Sequence, residues 1–171
     1  MPTKKIILSQ NATLLAILEN SFFQREGFEM LLVKDGQTGF ELVESESPIL
    51  AIFDLAQIGE QALECCRGLK ADHLLRETPV LLLLPENCDE GMADLCWEAG
   101  CDAVVHQPLA AERLLDAACG LLGISRRLSR RFPVNFQLEF LDKEQERHVG
   151  SCINFNVGGM FLTSETIFPV G

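Results

Sequence analysis

The sequence predicts a doubly wound α/β domain, a five-stranded parallel sheet with helices on both faces, followed by a short β segment. Three observations predict it. Short, continuous apolar runs recur along residues 5–105, each followed by a stretch with helical spacing. Such runs fit strands buried on both faces, which is the condition of a parallel sheet. Their regular alternation with helices is the pattern of crossover units. After Leu122 this pattern stops and β signals separated by turns take over.

The first strand is KIILS (5–9). The segment NATLLAILENSFFQREG then places Leu14, Leu15, Leu18 and Phe22 at helical spacing, with Asn11 as N-cap and Gly27 as the stop. EMLLV (29–33) is the second strand, DG a turn, and TGFELVES the second helix. PILAIFD (48–54) is a fully apolar third strand ending on Asp54, and EQALECCRGLK the third helix. TPVLLLL (78–84) is the fourth strand. In DEGMADLCWEAG, Met92, Leu95, Cys96 and Ala99 share one face of the fourth helix, with Trp97 beside that stripe. DAVV (102–105) is the fifth strand and LAAERLLDAACGLL (109–122) the fifth helix. The basic stretch around RRLSRR (123–131) reads as a linker. FPVNFQLEFLD (132–142) and HVGSCINFNVGGMFLT (148–163) read as strands, the latter broken at Gly158-Gly159.

The charge is divided in the same way. Residues 1–122 carry 8 Lys and Arg against 20 Asp and Glu, a net −12, whereas residues 123–171 carry a net +1. An acidic first part excludes a phosphate-tracking surface there, so no nucleic-acid partner is expected. No apolar run approaches the ~20 residues that span a bilayer, so membrane insertion is not expected and the chain reads as cytoplasmic. The seven cysteines form no C-x-x-C pair and fit no common zinc or iron–sulfur spacing. They are expected to act as small buried hydrophobes rather than metal ligands.

Open parallel sheets place their functional crevice at the carboxyl ends of the strands. Those ends are Ser9-Gln10-Asn11, Asp54, Leu84 and His106-Gln107, which should meet in space. A carboxylate at the end of an apolar strand is costly unless it is paired or used.

The order of elements over residues 4–122, with EGFEMLLVKDGQTGFELV and EAGCDAVVHQP, resembles the receiver domain of two-component response regulators, a flavodoxin-like fold. The resemblance implies that Asp54 stands at the phosphoryl-acceptor position. Phosphoryl transfer to a carboxylate requires Mg²⁺ held by hard oxygen ligands, and cationic and hydroxyl groups on the phosphoryl oxygens. In the family these are an acidic pair, a lysine and a Ser or Thr. Here Gln10 and Asn11 stand at the acidic pair, Leu84 at the Ser/Thr position, and Gln107, before Pro108, at the lysine. The resemblance therefore implies a degenerate receiver. No Mg²⁺ is expected, and Asp54 is expected to be satisfied by neutral amides, with Gln107 donating to it. The surface of the fourth helix, fifth strand and fifth helix, which often serves pairing in this family, is expected to meet a protein partner or a second copy.

RRLSRRFPV followed by NFNVGGMF resembles the start of a PilZ domain, the bacterial cyclic di-GMP receptor module. Arg127 and Arg131 fit its R-x-x-x-R, with Arg126 and Arg130 as a second register. Asn154, Asn156 and Gly159 fit its D/N-x-S-x-x-G except at the serine, where Asn156 stands. The resemblance implies cyclic di-GMP as ligand. Guanidinium groups fork onto phosphate or guanine and stack on the base, and a glycine permits close backbone approach. The 40 residues after Arg131 are fewer than a PilZ barrel needs, so residues 132–171 are expected to form part of such a domain. The chain is then a fragment, or another chain completes the sheet.

These readings converge on a non-enzymatic bacterial signalling protein in which a phosphorylation-deficient receiver is fused to a cyclic di-GMP-responsive module. Two alternatives stand beside it: an interaction adaptor that binds neither phosphate nor nucleotide, and a true response regulator phosphorylated on Asp54.

Overall fold

The computed structural model describes residues 4–89, 91–124, 132–141, 145–156 and 159–163. The chain divides into two compact units, residues 1–125 and 126–171.

The first unit is a five-stranded, all-parallel sheet. Its strands are β1 (Lys5–Ser9), β2 (Glu29–Val33), β3 (Leu50–Asp54), β4 (Val80–Leu84) and β5 (Ala103–His106), in the order β2-β1-β3-β4-β5. Among the described residues seven helices accompany the strands: α1 (Ala12–Glu19), α2 (Phe22–Arg25), α3 (Gly36–Glu46), α4 (Leu55–Ile58), α5 (Gln61–Ala71), α6 (Met92–Glu98) and α7 (Ala111–Leu121). β3 and β4 are buried at every position. Successive side chains alternate between two cores, as the strand period requires. Ile7, Ala51, Phe53, Leu82 and Leu84 join Val43, Leu63, Leu69 and Cys96 on one face. Ile6, Leu8, Ile52, Leu81 and Leu83 join Leu14, Leu18, Phe23 and Leu114 on the other. The chain moves outward from β1 to β2, then returns to β3 on the opposite side of β1. That reversal opens the crevice between the carboxyl ends of β1 and β3.

The expected first helix is two helices. Ser21 breaks it: its hydroxyl donates to Leu18 O at 2.6 Å and accepts from Phe23 N at 3.1 Å, so it ends one turn and caps the next. Gly27 then lies at φ +73°, the left-handed conformation suited to a helix stop. α4, a single turn after Asp54, has no apolar period long enough to read from the sequence. α3 presses on the sheet at Gly39, where a Cβ would lie 2.8 Å from the Phe53 ring. Lys70 ties three segments together. Its ammonium lies 2.8 Å from Asp102 and donates to the carbonyls of Arg76 and Thr78 at 2.9 Å each, while Asp102 accepts from Val80 N at 2.7 Å.

The second unit is a three-stranded antiparallel sheet, β6 (Phe132–Leu141), β7 (Arg147–Asn156) and β8 (Gly159–Thr163), with β7 central. Pro133 lies on an outer strand, where its missing N–H is tolerated. Bulges interrupt the register between Pro133 and Phe136 and between Cys152 and Asn154.

Candidate functional site

Asp54 ends β3, is 1% exposed, and lies at the centre of the strand-end crevice. Its backbone N–H donates to Ser9 Oγ at 2.9 Å. Three N–H groups meet its carboxylate: Asn11 Nδ2 donates to Oδ2 at 2.6 Å, Gln107 Nε2 to Oδ1 at 2.9 Å, and Ala56 N to Oδ1 at 2.8 Å. These donors are neutral amides, and hydrogen bonds to a charged acceptor are worth about 1.5–3 kcal/mol each. The Asn11 amide is oriented by both of its ends. Its oxygen accepts from Leu14 N at 3.0 Å as the N-cap of α1, which turns its nitrogen to Asp54.

Gln107 is placed by its backbone, whose N–H donates to Leu84 O at 2.9 Å as β5 ends. Its peptide bond to Pro108 is cis. Gln10 takes part through its main chain: its N–H donates to Val33 O at 3.0 Å and its carbonyl accepts from Gln57 Nε2, while its side chain is exposed. The Leu84 side chain is fully buried in the core on the α5 and α6 face and brings no polar group to the crevice. His106 is exposed and pairs with Leu84 in the ladder. The structure thus joins Asn11, Asp54 and Gln107 by direct side-chain hydrogen bonds, with Gln10 entering by its backbone.

Sequence reasoning missed Gln57 and Gln61. Gln57 follows Asp54 by three residues, one helical turn, and reaches across to β1. Gln61 Oε1 accepts from Gly36 N at 3.0 Å and so links the starts of α3 and α5. A signal existed in the repeated glutamines after an apolar strand, but no period marks them.

Burial pushes the thiols of Cys65, Cys66 and Cys101 up to about 12, and that of Cys96 up as well. Burial keeps these thiols protonated at neutral pH. Among the described residues no group of three His, Cys, Asp or Glu is placed to hold a metal ion. Leu95 and Trp97 on α6 are exposed.

Of the residues read as a nucleotide site, Arg127 and Arg131 lie outside the described residues, as do Arg126 and Arg130. Asn154 and Asn156 are in β7, and Asn156 pairs in the ladder with Gly159, the first residue of β8. The motif therefore occupies one end of the β7–β8 hairpin. No helix among the described residues is long and apolar enough to cross a membrane.

No family model matches the chain. In sequence it is similar to the polar-differentiation response regulator DivK of Brucella ovis, 23% identical over 121 residues, which is 71% of this chain and 98% of DivK. In structure it is similar to the receiver domain of a signal-transduction histidine kinase from Syntrophus aciditrophicus. The TM-score is 0.60 and the identity 24%, over 73% of this chain and 94% of that one. It is also similar to the receiver domain of sensor histidine kinase PA1611 from Pseudomonas aeruginosa, a structure with a magnesium ion coordinated in its active-site cleft. There the TM-score is 0.58 and the identity 18%, over 71% of this chain and 98% of that one. With its strand order and parallel ladders, the first unit of this chain has the receiver fold of two-component response regulators.

Proposed function

We propose that this is a bacterial cytoplasmic signalling protein, not an enzyme, whose receiver-fold unit works without phosphoryl transfer. One observation carries the reading: both oxygens of Asp54 already accept hydrogen bonds from Asn11, Gln107 and the Ala56 N–H. The donor set does not fit Mg²⁺, which takes hard oxygen ligands in octahedral array. At this crevice Asn11 presents its nitrogen, its oxygen is engaged by α1, and the Gln10 carbonyl is engaged by Gln57. Asp54 is the single carboxylate among these groups, which leaves a bridging metal weakly held, and the neutral amide of Gln107 stands where a cation would meet the phosphoryl oxygens. The test is an NMR titration with beryllofluoride or acetyl phosphate and Mg²⁺. Unchanged amide shifts around Asp54 support the proposal, and saturable shifts there would return Asp54 to the role of phosphoryl acceptor.

The output of such a unit is contact with a partner protein. Trp97 on α6, 53% exposed, offers an apolar anchor, and the carboxylates of Asp94 and Glu98 on the same helix suit a partner with basic side chains. The second unit adds cyclic di-GMP as input, through Arg127, Arg131, Asn154, Asn156 and Gly159. The support is the motif in the sequence and the pairing of Asn156 with Gly159 at one hairpin end. Calorimetric titration tests it. Arg131→Ala weakens binding roughly ten- to hundredfold, and Asn156→Ser holds or raises it. Undetectable binding in both the unaltered protein and Asn156→Ser leaves an adaptor without nucleotide.

A further inference from the structure

On one face of the second sheet, four residues of the β6–β7 ladder form a two-by-two patch. Glu139 pairs across the strands with Val149, and Leu141 with Arg147. The ion pair between Glu139 and Arg147 spans one diagonal, at 3.8 Å, and the two apolar side chains occupy the other. Leu141 and Val149 are 54% and 57% exposed, more than any other large apolar residue described except Leu74. Gln137, Ser151 and Thr163 continue the same face beyond Glu139 and Val149 with polar groups.

We propose that this face is a homodimer interface between two copies of the chain. The arrangement is self-complementary. A two-fold axis along the Leu141–Val149 diagonal lays each copy's Leu141 and Val149 against those of the other, and brings each Glu139 over the other copy's Arg147. An isologous contact requires that property of a single patch. Charge permits a second copy on this face. Residues 123–171 carry a net +1, so two such units meet without repulsion, whereas the first part carries a net −12. Within that part α6 carries Asp94 and Glu98, and α7 carries Glu112 and Asp116, an acidic balance that disfavours self-association through either helix. The patch is small beside the roughly 1,000 Å² of a stable interface, so the dimer is weak and concentration-dependent.

Sedimentation equilibrium of the full chain, up to about 200 µM, tests the proposal. The unaltered protein shifts toward twice the monomer mass as concentration rises. Val149→Glu buries a charge against its own copy and stays monomeric. Arg147→Glu weakens association at least tenfold, and the double exchange Glu139→Arg with Arg147→Glu restores it to within about threefold. Circular dichroism of each variant confirms that the sheet is intact. A protein monomeric throughout the range overturns the proposal, as does a dimer indifferent to both Val149→Glu and Arg147→Glu. A dimer lost instead in Trp97→Glu would place self-association on the α6 surface and also overturns it.

Discussion

In the first sheet the central strands β3 and β4 are buried at every position, while in the second sheet Phe136, Leu141, Val149 and Ile153 remain 41–57% exposed. The difference follows from layers. Five strands with helices on both faces have two complete cores, and the information left over sits at the strand ends. The second sheet has three strands, and among the described residues of its unit no helix accompanies them. The first unit therefore concentrates its chemistry in a crevice, and the second displays it on a face.

The same substitution in the two units separates them most widely. Phe53→Ala removes a fully buried ring between α3 and the sheet and costs about 3–5 kcal/mol. Phe136→Ala, 44% exposed, costs about 1 kcal/mol. Urea unfolding followed by Trp97, the one tryptophan of a chain without tyrosine, reports the first unit. Hydrogen exchange of β7 amides reports the second. Equal costs would break the contrast.

At the crevice, Asp54→Asn replaces one accepting oxygen with a donor, so an N–H faces Asn11 Nδ2 or the Gln107 and Ala56 donors. The expected loss is about 1–3 kcal/mol in the same urea titration. A neutral outcome would mean that the crevice is looser than its distances state. Gly39→Ala sharpens the packing half of the comparison. Its new methyl meets the Phe53 ring at 2.8 Å and costs about 1–3 kcal/mol, most of which Phe53→Leu in the same chain recovers.

Thiol labelling gives a smaller but site-resolved effect. With Cys65, Cys66 and Cys101 pushed up to about 12, alkylation at pH 8 modifies Cys88, the half-buried one, before these three, as read by peptide mass. Smallest is the pH response of the α3 cap. Thr38 N–H and its neighbours hold the Asp35 carboxyl below its ordinary value. A depressed carboxyl contributes stability above its unfolded pKa of about 4 and loses it as pH falls through the folded value. Asp35→Ala therefore lowers the melting temperature at pH 7, and the gap closes in acid.

The strands were legible because a parallel sheet buried on both faces leaves uninterrupted apolar runs, as in LAIFD and VLLLL. The meeting of Asn11, Asp54 and Gln107 was legible because strand ends in this topology converge. The division of the first helix at Ser21 was not, since Phe22 and Phe23 continue the apolar content past the break and only the hydroxyl's two bonds reveal it. Lys70 was equally hidden: its partners lie 6, 8 and 32 residues away, in segments with no common period. In the second unit the strands were visible as β signals separated by turns. Which residues share a face depends on register, and register appears only once β6 and β7 are paired.

The amides around Asp54 have one more consequence, for ionic strength. Mobile ions screen pairs of opposite charges at a surface, with a Debye length of ~8 Å under physiological conditions. The Lys5–Glu46 and Glu139–Arg147 pairs are open to that screening. A buried carboxylate held by dipoles offers dissolved ions no opposite charge to replace. Added salt therefore loosens the periphery of this molecule while its crevice keeps the same shape, in dilute buffer and in brine alike.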